Sequence, residues 1–240
     1  MTMLSSRPTL LFIPMNLSKK SLEKLRKSLI ILFQTNMKTI YQNLPSKEKL
    51  ILELFRIKAI EFGRFKLKSG AISPYYLDLR LLVSYPYLLE VVADVFWEEL
   101  RLMQFDLLVG VPYAAIPLAT IISFKYNRPM VFVRKEQKEY GKKKRIEGVF
   151  RQGQTAVLLD DVISDGKSKE ETLTVLKNDG LKVSDVLVLL DRRRQTDKRK
   201  EIYGCKLTSI YNMSDILKIL AKHGSISISQ EKQARKFIRS

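Results

Sequence analysis

Apolar positions along the chain follow two rhythms. Leu88, Leu89, Val92, Phe96 and Leu100 recur at three- and four-residue steps, which predicts a helix over about 85–102 with one buried stripe. Pro86 falls in its first turn, where a missing N–H is tolerated. The same spacing predicts helices over about 47–60, 113–124, 167–179, 213–222 and 229–239, with Gly180 ending the third of these. Between them lie short, largely apolar runs, Phe105 to Val109, Met130 to Val133, Ala156 to Leu159 and Val183 to Leu190, which read as strands of a parallel sheet. Extended segments are expected near 64–68 and 75–79, while 134–151 is too charged for a core. Strand and helix in this alternation predict an α/β fold, a central parallel sheet flanked by helices on both faces.

The first 46 residues stand apart. Arg7, Lys19, Lys20, Lys24, Arg26, Lys27 and Lys38 face only Glu23 there. Leu22, Leu25, Leu29, Leu32 and Phe33 recur at helical spacing after Ser18, a capping residue type, and before Thr35-Asn36, so part of this basic extension is expected to be an amphipathic helix. A basic, acid-poor start is compatible with organellar targeting. A lineage-specific extension, or an overextended start with Met15 or Met37 as initiator, is the plainer reading, and the protein is expected in the cytoplasm.

The 240 residues, 45% hydrophobic, suit one domain with an appendage. A net charge of +18 raises nucleic acid, an anionic membrane and a polyanionic small molecule as partners without choosing among them. One cysteine, Cys205, and one histidine, His223, exclude an internal disulfide and Cys/His zinc sites, and disfavour Cys-His and Ser-His-Asp catalysis. Any chemistry must run on carboxylates, lysines, arginines, hydroxyls and a hard metal ion. No apolar run reaches the ~20 residues that span a bilayer.

The most informative stretch is Val157-Leu158-Leu159-Asp160-Asp161-Val162-Ile163-Ser164-Asp165-Gly166-Lys167-Ser168. It reads as a buried strand ending in two carboxylates, then a loop with hydroxyls and a glycine that opens a helix. Ligands of parallel sheets bind at such strand ends. Loop amides and the helix N-terminus suit a phosphate, Gly166 permits close backbone approach, and Ser164 and Ser168 add hydroxyl donors. Asp160 and Asp161 can accept ribose hydroxyls directly or through water on a magnesium ion. The plain alternative is that the two aspartates merely cap a strand end. Neither G-x-x-x-x-G-K-[ST] nor G-x-G-x-x-G occurs, which argues against a P-loop nucleotidase and a dinucleotide fold.

This stretch resembles the phosphoribosyl-diphosphate signature of type I phosphoribosyltransferases, D-D-V-x-[ST]-x-G-x-[ST]. Three further segments resemble orotate phosphoribosyltransferases. Phe62 to Gly70, continuing through Ala71-Ile72-Ser73-Pro74-Tyr75-Tyr76-Leu77-Asp78-Leu79-Arg80, is similar to their amino-terminal hood. Gly110-Val111-Pro112-Tyr113-Ala114-Ala115 is similar to their pyrophosphate loop, and Arg134-Lys135-Glu136-Gln137-Lys138-Glu139-Tyr140-Gly141 to their catalytic loop, with Ile146-Glu147-Gly148 as its return. The wording is closest to the version in bifunctional eukaryotic uridine monophosphate synthases, although 240 residues cannot also hold a decarboxylase barrel of ~250. The resemblance covers about 62–192 and implies a type I phosphoribosyltransferase fold over 47–240. Its parts would be a hood at about 47–80, a core at about 85–212 and C-terminal helices at about 213–239.

The resemblance also implies a reaction, magnesium-dependent transfer of a phosphoribosyl group from phosphoribosyl diphosphate to N1 of orotate, in pyrimidine synthesis. Lys138 would be the catalytic lysine, with Arg134 and Lys135 stabilising the leaving pyrophosphate. Asp160 and Asp161 would hold the ribose, and Ser164, Asp165, Gly166, Lys167 and Ser168 the 5′-phosphate, with Val162 and Ile163 also among the substrate-binding residues. Lys68 would approach phosphoribosyl diphosphate from the hood, Tyr113 and Ala114 would lie along its pyrophosphate, and Tyr140 of the catalytic loop would be substrate-binding, while Tyr76, Leu77, Ser164 and Arg192 would meet orotate. Magnesium would be held by substrate and water, with no direct protein ligand. The family's loop closes over the neighbouring subunit, which implies a homodimer with shared sites. Ala114, Ser164 and Asp165 depart from the common family pattern, and Tyr140 follows its eukaryotic form. The other functions weighed are a phosphoribosyltransferase-fold regulator that binds nucleic acid and a purine phosphoribosyltransferase. The first is disfavoured by the complete catalytic loop, the second by Lys68 and Arg192. The charges of Lys142, Lys143, Lys144 and Arg145, and of Arg193 and Arg194, read as solvated, and His223 as a helix-end residue.

Overall fold

The computed structural model describes residues 18, 20, 21, 23, 24, 28, 46–67, 70–135, 145–164 and 166–239. The chain divides into two compact units, Met1–Leu44 and Pro45–Ser240. In the first, residues 20, 21, 23, 24 and 28 are helical, and the Ser18 hydroxyl accepts the Ser21 N–H at 3.2 Å, as an N-cap does. The apolar stripe expected there (Leu22, Leu25, Leu29, Leu32, Phe33) lies outside the described residues.

The second unit opens with helix α1 (Ser46–Arg56) and the strand pair β1 (Ile60–Lys66) and β2 (Ile72–Leu77). A 3-10 turn (Leu79–Ser84), α2 (Pro86–Leu100), β3 (Leu107–Gly110), α3 (Ala115–Tyr126), β4 (Met130–Val133) and β5 (Ile146–Glu147) follow. Then come β6 (Thr155–Ile163), α4 (Lys167–Asn178), β7 (Lys182–Asp191), β8 (Glu201–Ile202), β9 (Cys205–Asn212), α5 (Met213–Lys222) and α6 (Ile228–Arg239). The seven-stranded sheet has the order β5-β4-β3-β6-β7-β9-β8. Its five inner strands are parallel, and the two-residue strands β5 and β8 pair antiparallel at the edges.

Strand alternation divides the core into two layers. Leu108, Val157, Leu159, Leu187 and Leu189 pack with apolar residues of α1, α2, α3, α5 and α6. Leu107, Val109, Ala156, Leu158, Val186 and Val188 face the other way and pack with Leu173 and Leu176 of α4. Full burial of such side chains stabilises by about 1.5–3 kcal/mol each, so the sheet is held from both sides. The expected α/β architecture is therefore present, with the helices distributed unequally between the faces.

Differences from the sequence reading have local causes. The first helix stops at Arg56, because Lys58 turns left-handed (φ 61°) and the chain enters β1 at Ile60. The two extended segments start earlier than expected and form an antiparallel pair with a register shift between Phe62 and Phe65. β6 does not end before its carboxylates. Asp160 pairs with Val188 and Val162 with Leu190, so the ladder to β7 carries the strand through to Ile163. Strand β9 was not expected at all. Its sequence, CKLTSIYN, neither alternates cleanly nor forms a continuous apolar run, and it becomes a strand by pairing with β7.

Candidate active site

The carboxyl ends of β3, β6 and β7 lie side by side in the middle of the sheet. After β6 the chain turns through Ser164 and Gly166 into α4. Gly166 is the N-cap, at φ 88°, a left-handed conformation that strains any residue with a β-carbon. Its carbonyl accepts the N–H groups of Lys169 at 2.9 Å and Glu170 at 3.2 Å, and no side chain caps the helix start. Ser164, Lys167 and Ser168 are exposed around this turn, whereas Ile163 is buried, so any role for Ile163 falls to its backbone. Asp165 lies outside the described residues.

The two aspartates have different surroundings. Asp160 is 4% exposed, and its Oδ1 accepts the N–H of Asp161 at 2.9 Å. Its Oδ2 is ion-paired with Lys169 Nζ. The same ammonium donates to the Val162 carbonyl at 2.8 Å and lies 3.4 Å from Ser168 Oγ. Asp161 is half-buried and accepts the Val162 N–H at 2.7 Å. Burial, and then the adjacent Asp160 carboxylate, push the Asp161 carboxyl up to about 7. Lys169 is 2% exposed on α4. Its spacing with Thr172, Leu173 and Leu176 places it on the helix's inward stripe, a position where periodicity calls for an apolar residue. That mismatch was the available signal for a residue the motif reading left out.

β3 ends at Gly110, and the Val111 N–H donates to the Leu159 carbonyl at 3.0 Å, joining this turn to β6. The Pro112–Tyr113 peptide is cis. Ala114 is the N-cap of α3, and Tyr113 stands 58% exposed. Lys135 Nζ lies 4.7 Å from the Tyr113 ring centroid, which brings the two expected diphosphate segments together. The Arg134 N–H donates to the Arg145 carbonyl at 2.8 Å, and its guanidinium lies 3.4 Å from Glu147. Arg145 was expected to be solvated, but it is half-buried and donates to the Arg134 carbonyl at 3.3 Å and to Glu171 at 2.8 Å. With Pro112, Arg134, Lys135 and Ser168 it lines a cavity of about 30 Å³. The loop lies outside the described residues from 136 to 144, and with it Lys138 and Tyr140.

From the β1–β2 pair, Tyr75 is buried and meets Phe237 edge-on at 5.8 Å. Tyr76 stacks on Phe65 at 5.5 Å, and Leu77 is buried opposite Ile60. Burial pushes the Tyr75 phenol up, while the charge of Arg192 pulls it down. The Arg192 N–H donates to the Ile163 carbonyl at 3.0 Å, which sets Arg192 beside the end of β6. Arg193 is not the surface charge expected, because its side chain is 10% exposed. It is clamped by Asp191 at 2.7 Å and by the Arg199 carbonyl at 2.9 Å. His223 is the C-cap of α5, as expected, with Nε2 3.1 Å from Glu48. Lys68 lies outside the described residues. Among the described residues, no three Asp, Glu, His or Cys side chains gather to hold a metal ion.

Residues 83–216 match the phosphoribosyl transferase domain family. The chain is 38% identical over 189 residues to orotate phosphoribosyltransferase of Chlamydia pneumoniae, covering 78% of this chain and 90% of that protein. The chain belongs to the orotate phosphoribosyltransferase family. It is also 40% identical over 191 residues to uridine 5′-monophosphate synthase of Bos taurus, covering 79% of this chain but only 40% of that longer protein. The solved structure of Leishmania donovani UMP synthase superposes with a TM-score of 0.74 at 34% identity, covering 81% of this chain and 42% of that one. This phosphoribosyltransferase fold gathers Tyr113, Ala114, Lys135, Asp160, Asp161, Ser164, Gly166, Ser168 and Arg192 around the ends of β3, β6 and β7.

Proposed function

We propose that the chain transfers the phosphoribosyl group of 5-phosphoribosyl 1-diphosphate to N1 of orotate, giving orotidine 5′-monophosphate and pyrophosphate in pyrimidine biosynthesis. The observation that carries this reading is the meeting of a carboxylate-bearing strand end, a glycine-capped helix start and a cationic loop base at adjacent strands. The three suit a ribose, a 5′-phosphate and a diphosphate in turn.

As the bond from the anomeric carbon to the diphosphate breaks, positive charge spreads over the sugar and negative charge collects on the leaving group. Arg134, Lys135 and Lys138 would offset that negative charge. Asp161 would accept hydroxyl protons of the ribose, and the α4 start with Ser164, Lys167 and Ser168 would hold the 5′-phosphate. Arg192, beside the end of β6, suits the carboxylate of orotate, and Tyr76 and Leu77 offer backbone to its ring. Magnesium would neutralise diphosphate oxygens when bound. Among the described residues no three carboxylates gather at the site, and the family resemblance supports a magnesium held mainly by substrate and water.

The family resemblance supports a homodimer in which each Lys138 loop closes over the neighbouring site and excludes water from the electrophilic sugar. We place the enzyme in the cytoplasm. Among the described residues, no helix is long and apolar enough to cross a membrane.

The test is to follow orotate disappearance with purified protein, phosphoribosyl diphosphate and magnesium, with hypoxanthine, adenine and uracil in parallel. Turnover confined to orotate is expected. Turnover of a purine instead, or no turnover accompanied by tight nucleic-acid binding, would replace this reading.

A further inference from the structure

The family resemblance assigns the ribose to both aspartates of β6 as a pair, but the geometry separates them. α4 turns Lys169, Thr172, Leu173 and Leu176 toward the sheet, and the lysine is the one charged residue of that stripe. A buried ammonium is costly unless its protons are taken up. Here the acceptors come from both sides of one loop, Asp160 Oδ2 and the Val162 carbonyl on the strand and Ser168 Oγ on the helix. One side chain thus ties the end of β6 to the start of α4 across the neck of the phosphate loop. The other Asp160 oxygen is occupied by the Asp161 N–H at 2.9 Å. Both oxygens of Asp160 are committed inside the protein, and the half-buried Asp161 is the next carboxylate along the strand.

We propose that Lys169 is a positioning residue. It holds Asp160 as an internal carboxylate and closes the phosphate-loop neck, leaving Asp161 alone of the pair to accept ribose hydroxyls of phosphoribosyl diphosphate. The inference rests on the proposed function for the identity of the ligand. Its structural content is that Asp160 and Lys169 act as one neutral unit, so each is needed chiefly because the other is present. Removing one partner leaves an uncompensated buried charge, whereas replacing both by neutral residues restores a balanced interior.

The experiment compares Lys169→Met, Asp160→Asn with Lys169→Met, and Asp161→Asn in the full chain. Phosphoribosyl diphosphate binding with magnesium is read by calorimetry, KM and kcat for both substrates are measured separately, and folding is checked by circular dichroism. Lys169→Met is expected to weaken phosphoribosyl diphosphate binding about tenfold or more, the scale of a lost charge-assisted hydrogen bond, with a smaller effect on KM for orotate. The neutral pair should recover most of that loss, to within about threefold of the original affinity. Asp161→Asn should lose at least as much as Lys169→Met. The proposal is overturned if the neutral pair binds as poorly as Asp161→Asn, since Asp160 would then touch the ligand itself. Unchanged affinity in Lys169→Met would overturn it as well. Should Lys169→Met fail to fold, the comparison of the neutral pair with Asp161→Asn still decides. A parent protein that binds phosphoribosyl diphosphate but does not consume orotate would refute the proposed base, and the binding comparison would stand.

Discussion

Gly110 lies so close to Ala115 that a β-carbon on it would stand 2.6 Å from the Ala115 carbonyl oxygen and 2.9 Å from its carbonyl carbon. Both are backbone atoms of the turn that starts α3, so no side chain can rotate away. The glycine lets the end of β3 and the Tyr113-Ala114 turn fold back against each other beside β6. Gly110→Ala is expected to destabilise the protein by about 1–3 kcal/mol, the usual cost of overpacking. It should also raise KM for phosphoribosyl diphosphate, because the turn must move. Thermal melting and steady-state kinetics check both effects.

The raised Asp161 carboxyl, at about 7 against an ordinary 3.8, has a definite sign. Between those values the folded protein keeps a proton that the unfolded chain has released. The contribution of Asp161 to stability therefore falls as pH rises through this window in the absence of ligand. A ligand that donates hydroxyl protons to Asp161 needs the charged form, so phosphoribosyl diphosphate affinity should rise as pH passes through about 7. Calorimetric binding across this interval tests the second point. A flat profile in the parent protein, with Asp161→Asn still binding weakly, would mean the carboxylate is already charged well below that pH.

Lys138→Ala should lower turnover by about two or more powers of ten, the scale of one transition-state charge contact, with an unchanged melting temperature. A loss below about tenfold would place the catalytic charge elsewhere, with Lys135 the next candidate because its ammonium already sits 4.7 Å from the Tyr113 ring. Mixing Lys138→Ala with a chain carrying Asp160→Asn and Asp161→Asn should regain activity if subunits share sites. Absence of recovery in a verified mixed dimer would argue for self-contained sites.

Tyr211→Phe isolates one long-range tie. The phenol hydroxyl donates to the Lys47 carbonyl at 3.0 Å, fastening β9 to the first turn of α1, and the residue is 3% exposed. Losing that bond should cost about 1 kcal/mol, a drop of about 2–4 °C in melting temperature for a domain of this size, with kcat and KM unchanged. A rise in KM comparable to that of Gly110→Ala would show that α1 is coupled to the active site.

Periodicity alone located the second helix near Pro86–Leu100 and the two last helices, because each buries one continuous face whatever it packs against, and an unbroken apolar run located the strand Met130–Val133. The phosphate loop was legible for a related reason, since Gly166 and the flanking hydroxyls are local requirements of a turn that opens a helix. Partnership between distant polar groups was not legible. Periodicity turns Lys169 inward but does not name Asp160 as its partner until α4 is laid on β6, and Arg193 reads as a surface charge until Asp191 and the Arg199 carbonyl close around it. β9 likewise exists only as the neighbour of β7. A hydrophobic pattern records which side of an element leaves water, and that is a property of the element by itself. Which carboxylate meets which cation, and hence which of two adjacent aspartates remains open to a ligand, depends on segments that only the tertiary structure brings together.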